Sequence, residues 1–397
     1  MSDDAVSDTP VQRGLLAVIG WAIWLGVSWT WVIGMLWPIL LLRDHGVAGW
    51  VAFALPNVIG AAAMGTLLPN AAASRRLTDR HGPALAAFSD ITILFHAFAV
   101  TWLVTRAFGL PAAGLAASAT LAVWAVARLG SAAGRLAAAV VFLVSVGAFV
   151  TLVQTLPGPE TWRATEEPSV PLLWLMPSLA FGFLLCPYLD PTFHRARQAT
   201  APTTGRWAFV IGFGVVFLSM IVLSLFYART LAPAFTADFN GPLAVTTISL
   251  IALVLHLTFQ VSLTTGLHLS ERTGGLATRG RPLTWAMIPA GIGLGMLAPA
   301  IEVPAGMAGG EAIYRSLLLL YGLPLPGYVW VVMIAGGPTG PTRRSVTTWA
   351  VASALAYPLG LWAFVGGQAL ALIPAAIIMV LAGGVGAMDR RSDPTVV

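Results

Sequence analysis

Apolar residues run in long blocks along this chain, broken by short polar links. Twelve blocks can be read, at about 15–42, 47–70, 84–104, 110–127, 136–156, 171–189, 207–228, 244–267, 283–302, 312–334, 346–365 and 369–387. Most are long enough to cross a hydrocarbon core as a helix, which takes ~20 residues. Membrane β-barrels are instead built from alternating strands of ~10 residues. Backbone groups in lipid must find partners within their own segment, which leaves helices. The pattern therefore predicts an all-α polytopic membrane protein with about twelve transmembrane helices.

Composition supports this. The apolar share is 57% without glycine and only 9% of residues are charged, against about 45–50% apolar with glycine and about 25% charged in soluble domains. The 21 cations are all arginine. Sorting the links alternately puts sixteen on one side: Arg13, Arg75, Arg76, Arg80, Arg128, Arg135, Arg195, Arg197, Arg206, Arg272, Arg279, Arg281, Arg343, Arg344, Arg390 and Arg391. Five fall on the other: Arg43, Arg106, Arg163, Arg229 and Arg315. The positive-inside rule makes the first side cytoplasmic, so both termini are expected inside. Arginines scattered over short links, with no basic domain, argue against nucleic-acid binding. One cysteine, Cys186, excludes an internal disulfide or a multi-cysteine metal site. The acidic, polar N-terminus does not read as a cleavable signal. The Ala/Gly/Arg bias suits a bacterial protein, hence a multi-pass protein of the inner (plasma) membrane.

The expected layout is a tail over 1–14, one membrane domain over 15–388 and a tail over 389–397. The longest external link, Pro157 to Pro168, carries Glu160, Glu166 and Glu167. Two blocks look broken. The first, WAIWLGVSWTWVIGMLWP, is interrupted by Gly26, Ser28, Thr30, Gly34 and Pro38; the sixth, PSLAFGFLLCPYLDPTFHRARQ, by Gly182, Pro187 and Pro191. Proline removes a backbone donor and glycine weakens a helix. Blocks 1 and 6 head two sets of five. Five is odd, so the sets insert with opposite orientation, which is the pattern of an inverted repeat with unwound helices forming a site near the midplane. The repeats would cover about 15–156 and 171–334, with two C-terminal helices added over about 346–387.

Ionisable residues within lipid are functional candidates: Asp90, His96, Asp190, His256 and Glu302 at an edge. Asp190 sits at the second break, where it either binds a cationic solute or ion, or pairs with Arg195 or Arg197. His256 and Gln260 share a helix face at i, i+4; the histidine either titrates or is packed and hydrogen-bonded. Asp90 and His96 read as structural polar contacts, and the amide of Asn57 as a brace for the broken helix. Trp21 reads as an interface-belt tryptophan. Ser28, Trp29, Thr30 and Trp31 at the first break, with Pro187, Tyr188 and Asp190 at the second and Gln260 between them, form the expected substrate set. Gly291, Gly293 and Gly295 suggest close helix packing. GxSxG, HExxH and phosphate-loop motifs are missing from the sequence, which argues against catalysis and against an ATP-driven pump.

At block 6 the stretch LAFGFLLCPYLDPTFHRARQA resembles the signature span of the sodium:solute symporter family, through Leu179, Gly182, Pro187, Arg195 and Ala196, with Tyr188 where histidine is common. It departs from it at Ala180, Cys186, Phe193 and His194. Block 8, VLHLTFQVSLTTGLHLSER, is similar to that family's hydroxyl-rich span through Ser262, Thr264, Thr265 and Glu271. The resemblance implies the five-plus-five inverted repeat of the leucine-transporter type. It also implies sodium held by a Ser-Thr pair of block 8 and carbonyls of block 1. Here the matching stretch is His256-Leu257-Thr258, so one hydroxyl remains and a histidine, with an ordinary pKa of ~6.5, stands nearby. The expected coupling set is Gly26, His256, Thr258 and Ser262, serving Na⁺ or a proton; no other metal or cofactor is expected.

The expected function is cation-coupled symport of a small solute by alternating access. One alternative is a major-facilitator transporter, since Asp79, Arg80 and Gly82 imitate its D-R-x-G turn. The other is a non-transporting membrane sensor or scaffold that kept the fold.

Overall fold

The structure is a computed structural model and describes residues 12–156, 170–239, 241, 243–278, 280–303, 307–337 and 340–391. The external link with Glu160, Arg163, Glu166 and Glu167, most of the N-terminal tail, Arg279 and residues 392–397 lie outside the described residues.

Helices make up every named element among the described residues. They are α1 (Leu15–Trp29), α2 (Val32–Leu67), α3 (Ala71–Phe108), α4 (Leu110–Ala127), α5 (Ser131–Thr155), α6 (Leu172–Leu185), α7 (Pro191–Ala199) and α8 (Pro202–Phe235). They continue as α9 (Thr247–Gly274), α10 (Arg281–Leu297), α11 (Gly309–Gly322), α12 (Pro324–Tyr328, running on in wide turns to Ala335), α13 (Arg343–Phe364) and α14 (Leu372–Arg391). Among the described residues nine helices are long and apolar enough to cross a membrane, and Leu15–Trp29 and Ala369–Val385 are shorter apolar helices. The protein is a multi-pass membrane protein.

Blocks 1 and 2 part where the sequence places their link: α2 leaves helical geometry at Gly46 (φ 62°, ψ −155°), a conformation that favours glycine, so Val32–Leu67 consists of two helical pieces. One link differs from the sequence reading. α3 begins at Ala71 rather than near 84, because the Asn70 side chain accepts from Ala73 N (2.9 Å) and caps the helix. The stretch holding Asp79, Arg80 and Gly82 is thus helical, bent at His81 ahead of Pro83.

Helix ends gather at two poles. At the arginine-rich pole Arg197 donates to the carbonyls of Leu68 and Pro69, Gln12 bridges backbone to Thr200 and Arg135 binds Gln12. At the other, Arg106 donates to the carbonyls of Thr236 and Phe239 (2.8 and 2.9 Å), while Arg43 pairs with Glu311 (2.7 Å).

The packing against α1 depends on missing side chains. A Cβ on Gly26 would strike the Gly212 carbonyl and Val216, and one on Gly212 would crowd the Ala22 carbonyl. Gly291 and Gly295, one helical turn apart, do the same for α10 against α3, whereas Gly293 faces open space. Gly26→Ala is expected to cost about 1–3 kcal/mol, the usual range for overpacking, measured as a loss of thermal stability of the detergent-purified protein. Gly293→Ala should be neutral in the same assay.

Candidate functional site

Between α1 and α2 the chain loses helical continuity. Thr30 (φ −84°, ψ 73°) and Trp31 (φ −115°, ψ −168°) leave the helix, and α2 starts afresh at Val32. Between α6 and α7 a tight 3₁₀ turn, Cys186–Leu189, leads to an extended Asp190. Pro191 then opens α7 at a position where its missing N–H costs nothing. Pro38, by contrast, is accommodated inside α2, so the first break, at Thr30 and Trp31, falls about two turns before that proline.

The breaks are neighbours. Trp24 Nε1 donates to the Thr192 carbonyl (3.2 Å), and the rings of Trp29 and Phe193 lie 5.0 Å apart. Tyr321 of α11 ties them: its ring is 4.9 Å from Trp31, its carbonyl accepts from Cys186 Sγ (3.2 Å) and its hydroxyl meets Thr92 Oγ1 (2.9 Å). Phe88 stacks on Trp29 at 6.4 Å and meets Tyr321 at 5.5 Å. Trp29, Trp31, Phe88, Phe193 and Tyr321 thus wall one buried aromatic cluster around both breaks.

The predicted substrate residues fall as follows. Ser28 Oγ and Thr30 Oγ1 bond back to the carbonyls of Leu25 (3.1 Å) and Gly26 (2.8 Å). Trp29 Nε1 donates to Asn57 Oδ1 (2.5 Å). Pro187 is buried and its carbonyl accepts from Asp190 N (3.2 Å). Tyr188 is half-buried, and its carbonyl accepts from His194 Nε2 (3.0 Å). Asp190 is fully buried and joins neither Arg195 nor Arg197; its Oδ1 accepts from Thr192 N and Thr192 Oγ1, both at 2.7 Å, as the N-cap of α7.

On α9 the helical repeat separates the predicted coupling residues. Gln260 and Thr264 face the first break. Thr264 Oγ1 donates to the Ser28 carbonyl (3.1 Å). With its amide oriented to satisfy every partner, Gln260 donates to the carbonyls of Val27 (3.2 Å) and Thr30 (3.1 Å) and accepts from Ser145 Oγ (2.8 Å). Thr258 and Ser262 lie two residues from Gln260, so they point to another face: Thr258 bonds back to Val254 O (2.6 Å) and Ser262 to Ala116 O (2.9 Å). The hydroxyl at the break is therefore Thr264, not Thr258. His256 lies a turn from Gln260, with Nδ1 on Ser145 Oγ (3.0 Å). Gly26 serves the α1–α8 contact, its carbonyl taken by Thr30.

Several residues at this site carry no obvious signal in the chain. Phe88, Phe193 and Tyr321 look like ordinary core aromatics. His268, one residue past the end of block 8, is just as inconspicuous in the chain. It is fully buried beside Asp190, with Nδ1 on Ser89 Oγ (3.0 Å). His96 sets Nδ1 on Thr265 Oγ1 (2.8 Å) and its ring on Trp31 (5.5 Å). Trp21, expected in the interface belt, is buried instead and binds Gln12 (3.1 Å). Among the described residues the exposed tryptophans are Trp207, Trp285 and Trp362.

Buried ion pairs cap the site on both sides. Toward the arginine-poor pole, Arg43, Asp44, Glu311 and Arg315 form one network: Arg43–Glu311 2.7 Å, Arg315–Asp44 2.9 Å and Arg43–Asp44 2.7 Å. Toward the arginine-rich pole, Arg195 holds Glu271 through both oxygens. Arg272 holds Asp90 at 2.7 and 2.9 Å, and Thr284 adds a bond to Asp90 (2.8 Å). A cavity of about 330 Å³, bordered by Trp24, Arg128, Arg195 and Glu271, opens beneath the breaks at the arginine-rich pole. A larger one of about 1050 Å³, bordered by Trp102, Arg106, Met296 and Glu302, opens at the other.

No family model matches the chain, and no curated relative does. Solved structures do. A manganese transporter of Eremococcus coleocola, crystallised with an aromatic bis-isothiourea substituted compound, aligns over 97% of this chain and 99% of its own, with 12% identity and a TM-score of 0.55. Mhp1, a nucleobase-cation-symport-1 family transporter, aligns in a closed form with bromovinylhydantoin bound, over 94% of this chain and 93% of its own (14% identity, TM-score 0.45). Inward-facing Mhp1 aligns over 94% of this chain and 90% of its own (16% identity, TM-score 0.38). The first likeness shows that the two chains share a fold from end to end.

Proposed function

We propose that this protein is a secondary active transporter. It moves a small organic solute by alternating access, coupled to a cation, with the solute site between the breaks after α1 and α6. In this reading α1–α5 and α6–α12 form the two inverted five-span repeats, and α13 and α14 are additions. The residues that resemble the sodium:solute symporter span, Gly182, Pro187 and Arg195, stand at or just beside the second break. The shared fold with a manganese transporter supports the transporter class.

The observation that carries the proposal is the adjacency of the two breaks inside one aromatic wall, with a cavity toward each pole. Interrupted helices leave backbone groups free to bind a guest at membrane depth only where protein or a cavity surrounds them. Trp29, Trp31, Phe88 and Tyr321 suit a flat or apolar body better than a bare metal ion, and an aromatic face also accepts a cation. Purified protein in liposomes is expected to accumulate a small organic solute only when an Na⁺ or H⁺ gradient is imposed. Uptake that ignores both gradients, or no uptake across a broad solute panel by protein that still binds one of those solutes, overturns the reading. In the same assay Trp31→Ala is expected to lower apparent solute affinity by at least tenfold, about 1.4 kcal/mol.

A further inference from the structure

One buried carboxylate oxygen in this core has been left without a hydrogen bond. Asp190 is fully buried, and while Oδ1 is doubly bonded by Thr192, Oδ2 has no partner among the described residues. The polar atom facing it is His268 Nε2, 4.0 Å away. His268 is itself buried, and its other ring nitrogen is committed to Ser89. Four Ångströms is too long for a hydrogen bond, yet close enough for one protonated group to dominate the field of the other.

Other titratable groups near the pair are already engaged. Glu271, one helical turn beyond His268 on α9, is held by Arg195. Tyr321 of α11 is bonded to Thr92, and Cys186 of the same break is bonded to the Tyr321 carbonyl. His96 of α3 faces Thr265 and Trp31. With Asp190 ionised and His268 neutral the pair carries one negative charge in a dry interior, an arrangement that costs free energy unless it is compensated. A single proton neutralises it, whichever of the two groups holds it.

The first break is less suited to a small cation, because Gln260 already donates its amide to the carbonyls of Val27 and Thr30 that a hard ion would use. The second break lies close to the arginine-rich cavity. The arginine-rich cavity reaches Trp24 and Glu271, and Trp24 is bonded to the Thr192 carbonyl two residues from Asp190.

We infer that Asp190 and His268 together form a proton-binding site. On the transport proposal above, on which this part rests, that proton is the coupling ion. Binding it would draw Oδ2 and Nε2 together and change the geometry of the second break, the segment that also lines the solute site.

Infrared difference spectra of the full-length detergent-purified protein during a pH titration test this directly. The expected wild-type result is a protonated-carboxyl C=O band that grows as pH falls. That band should be absent in Asp190→Asn, a variant that keeps a good N-cap on Thr192 N. In His268→Gln it should persist with its midpoint moved by about one pH unit or more, the scale of a close charge partner. Spectra identical in wild type and Asp190→Asn, or a midpoint unmoved by His268→Gln, would overturn the inference. Because the readout is protonation and not uptake, a protein that titrates at Asp190 but carries no solute refutes the transport proposal and leaves the proton site standing.

Discussion

Replacing Glu311 by alanine is expected to destabilise the folded protein by about 3–5 kcal/mol, the usual cost of breaking a buried ion pair by removing one partner. Glu311 is 3% exposed and touches two guanidinium groups, Arg43 through both oxygens and Arg315 at 2.6 Å. Without it, two buried arginines share the single carboxylate of Asp44. Water reaches this network poorly, so the excess charge is not solvated away. The double variant Glu311→Met with Arg315→Met restores the balance, leaves Arg43 on Asp44 (2.7 Å), and should regain most of the loss. The measurement is unfolding of the detergent-purified protein for both singles and the double. Equal losses that simply add would show that the network contributes nothing as a unit.

Glu271→Gln is expected to make Cys186 react about tenfold faster with a membrane-impermeant maleimide presented at the arginine-rich face. Cys186 is the chain's only cysteine and is 1% exposed, locked against the Tyr321 carbonyl at the second break. Glu271 joins α9 to Arg195 of α7 at the edge of the arginine-rich cavity. Removing its charge weakens that closure. A shift of 1.4 kcal/mol in the opening equilibrium multiplies the open population by about ten. The swapped pair, Arg195→Glu with Glu271→Arg, should return the rate toward wild type. An unchanged rate in Glu271→Gln, in protein that remains monodisperse, removes this pair from the closing mechanism.

The first prediction concerns charges that block-reading of the chain passes over. Asp44, Glu311 and Arg315 sit at the edges of apolar blocks, where they resemble interfacial residues. Their pairing across 271 positions depends on how α2 and α11 meet. His268 and Arg272 were equally inconspicuous at the end of block 8, yet His268 faces Asp190 and Arg272 holds Asp90. The two breaks were legible, because glycine, small hydroxyl residues and proline weaken a helix locally. Their exact positions were less so: Pro38 and Pro56 pass within α2, while Thr30 and Trp31, neither a strong helix breaker, carry the first break.

The coupling residues show the same division. Block 8 advertised a row of polar side chains, and both Thr258 and Thr264 fitted a role at the break. Which hydroxyl reaches α1 depends on the rotation of α9, set by its contacts with α4, α5 and α1 rather than by any local preference. The rotation brings Gln260 and Thr264 to the carbonyls of Val27, Thr30 and Ser28, and turns Ser262 to Ala116.

Block length, hydropathy and the placement of arginine determine a helical multi-pass protein, because in lipid each span must satisfy its own backbone and pay heavily for stray charge. Those are one-dimensional constraints, readable along the chain. Which buried polar groups meet is a three-dimensional matter of helix rotation and depth. Only the tertiary structure brought the two breaks together behind Tyr321 and left Asp190 Oδ2 facing His268, since a hydrogen-bond partner within 3 Å is selected by packing between distant spans.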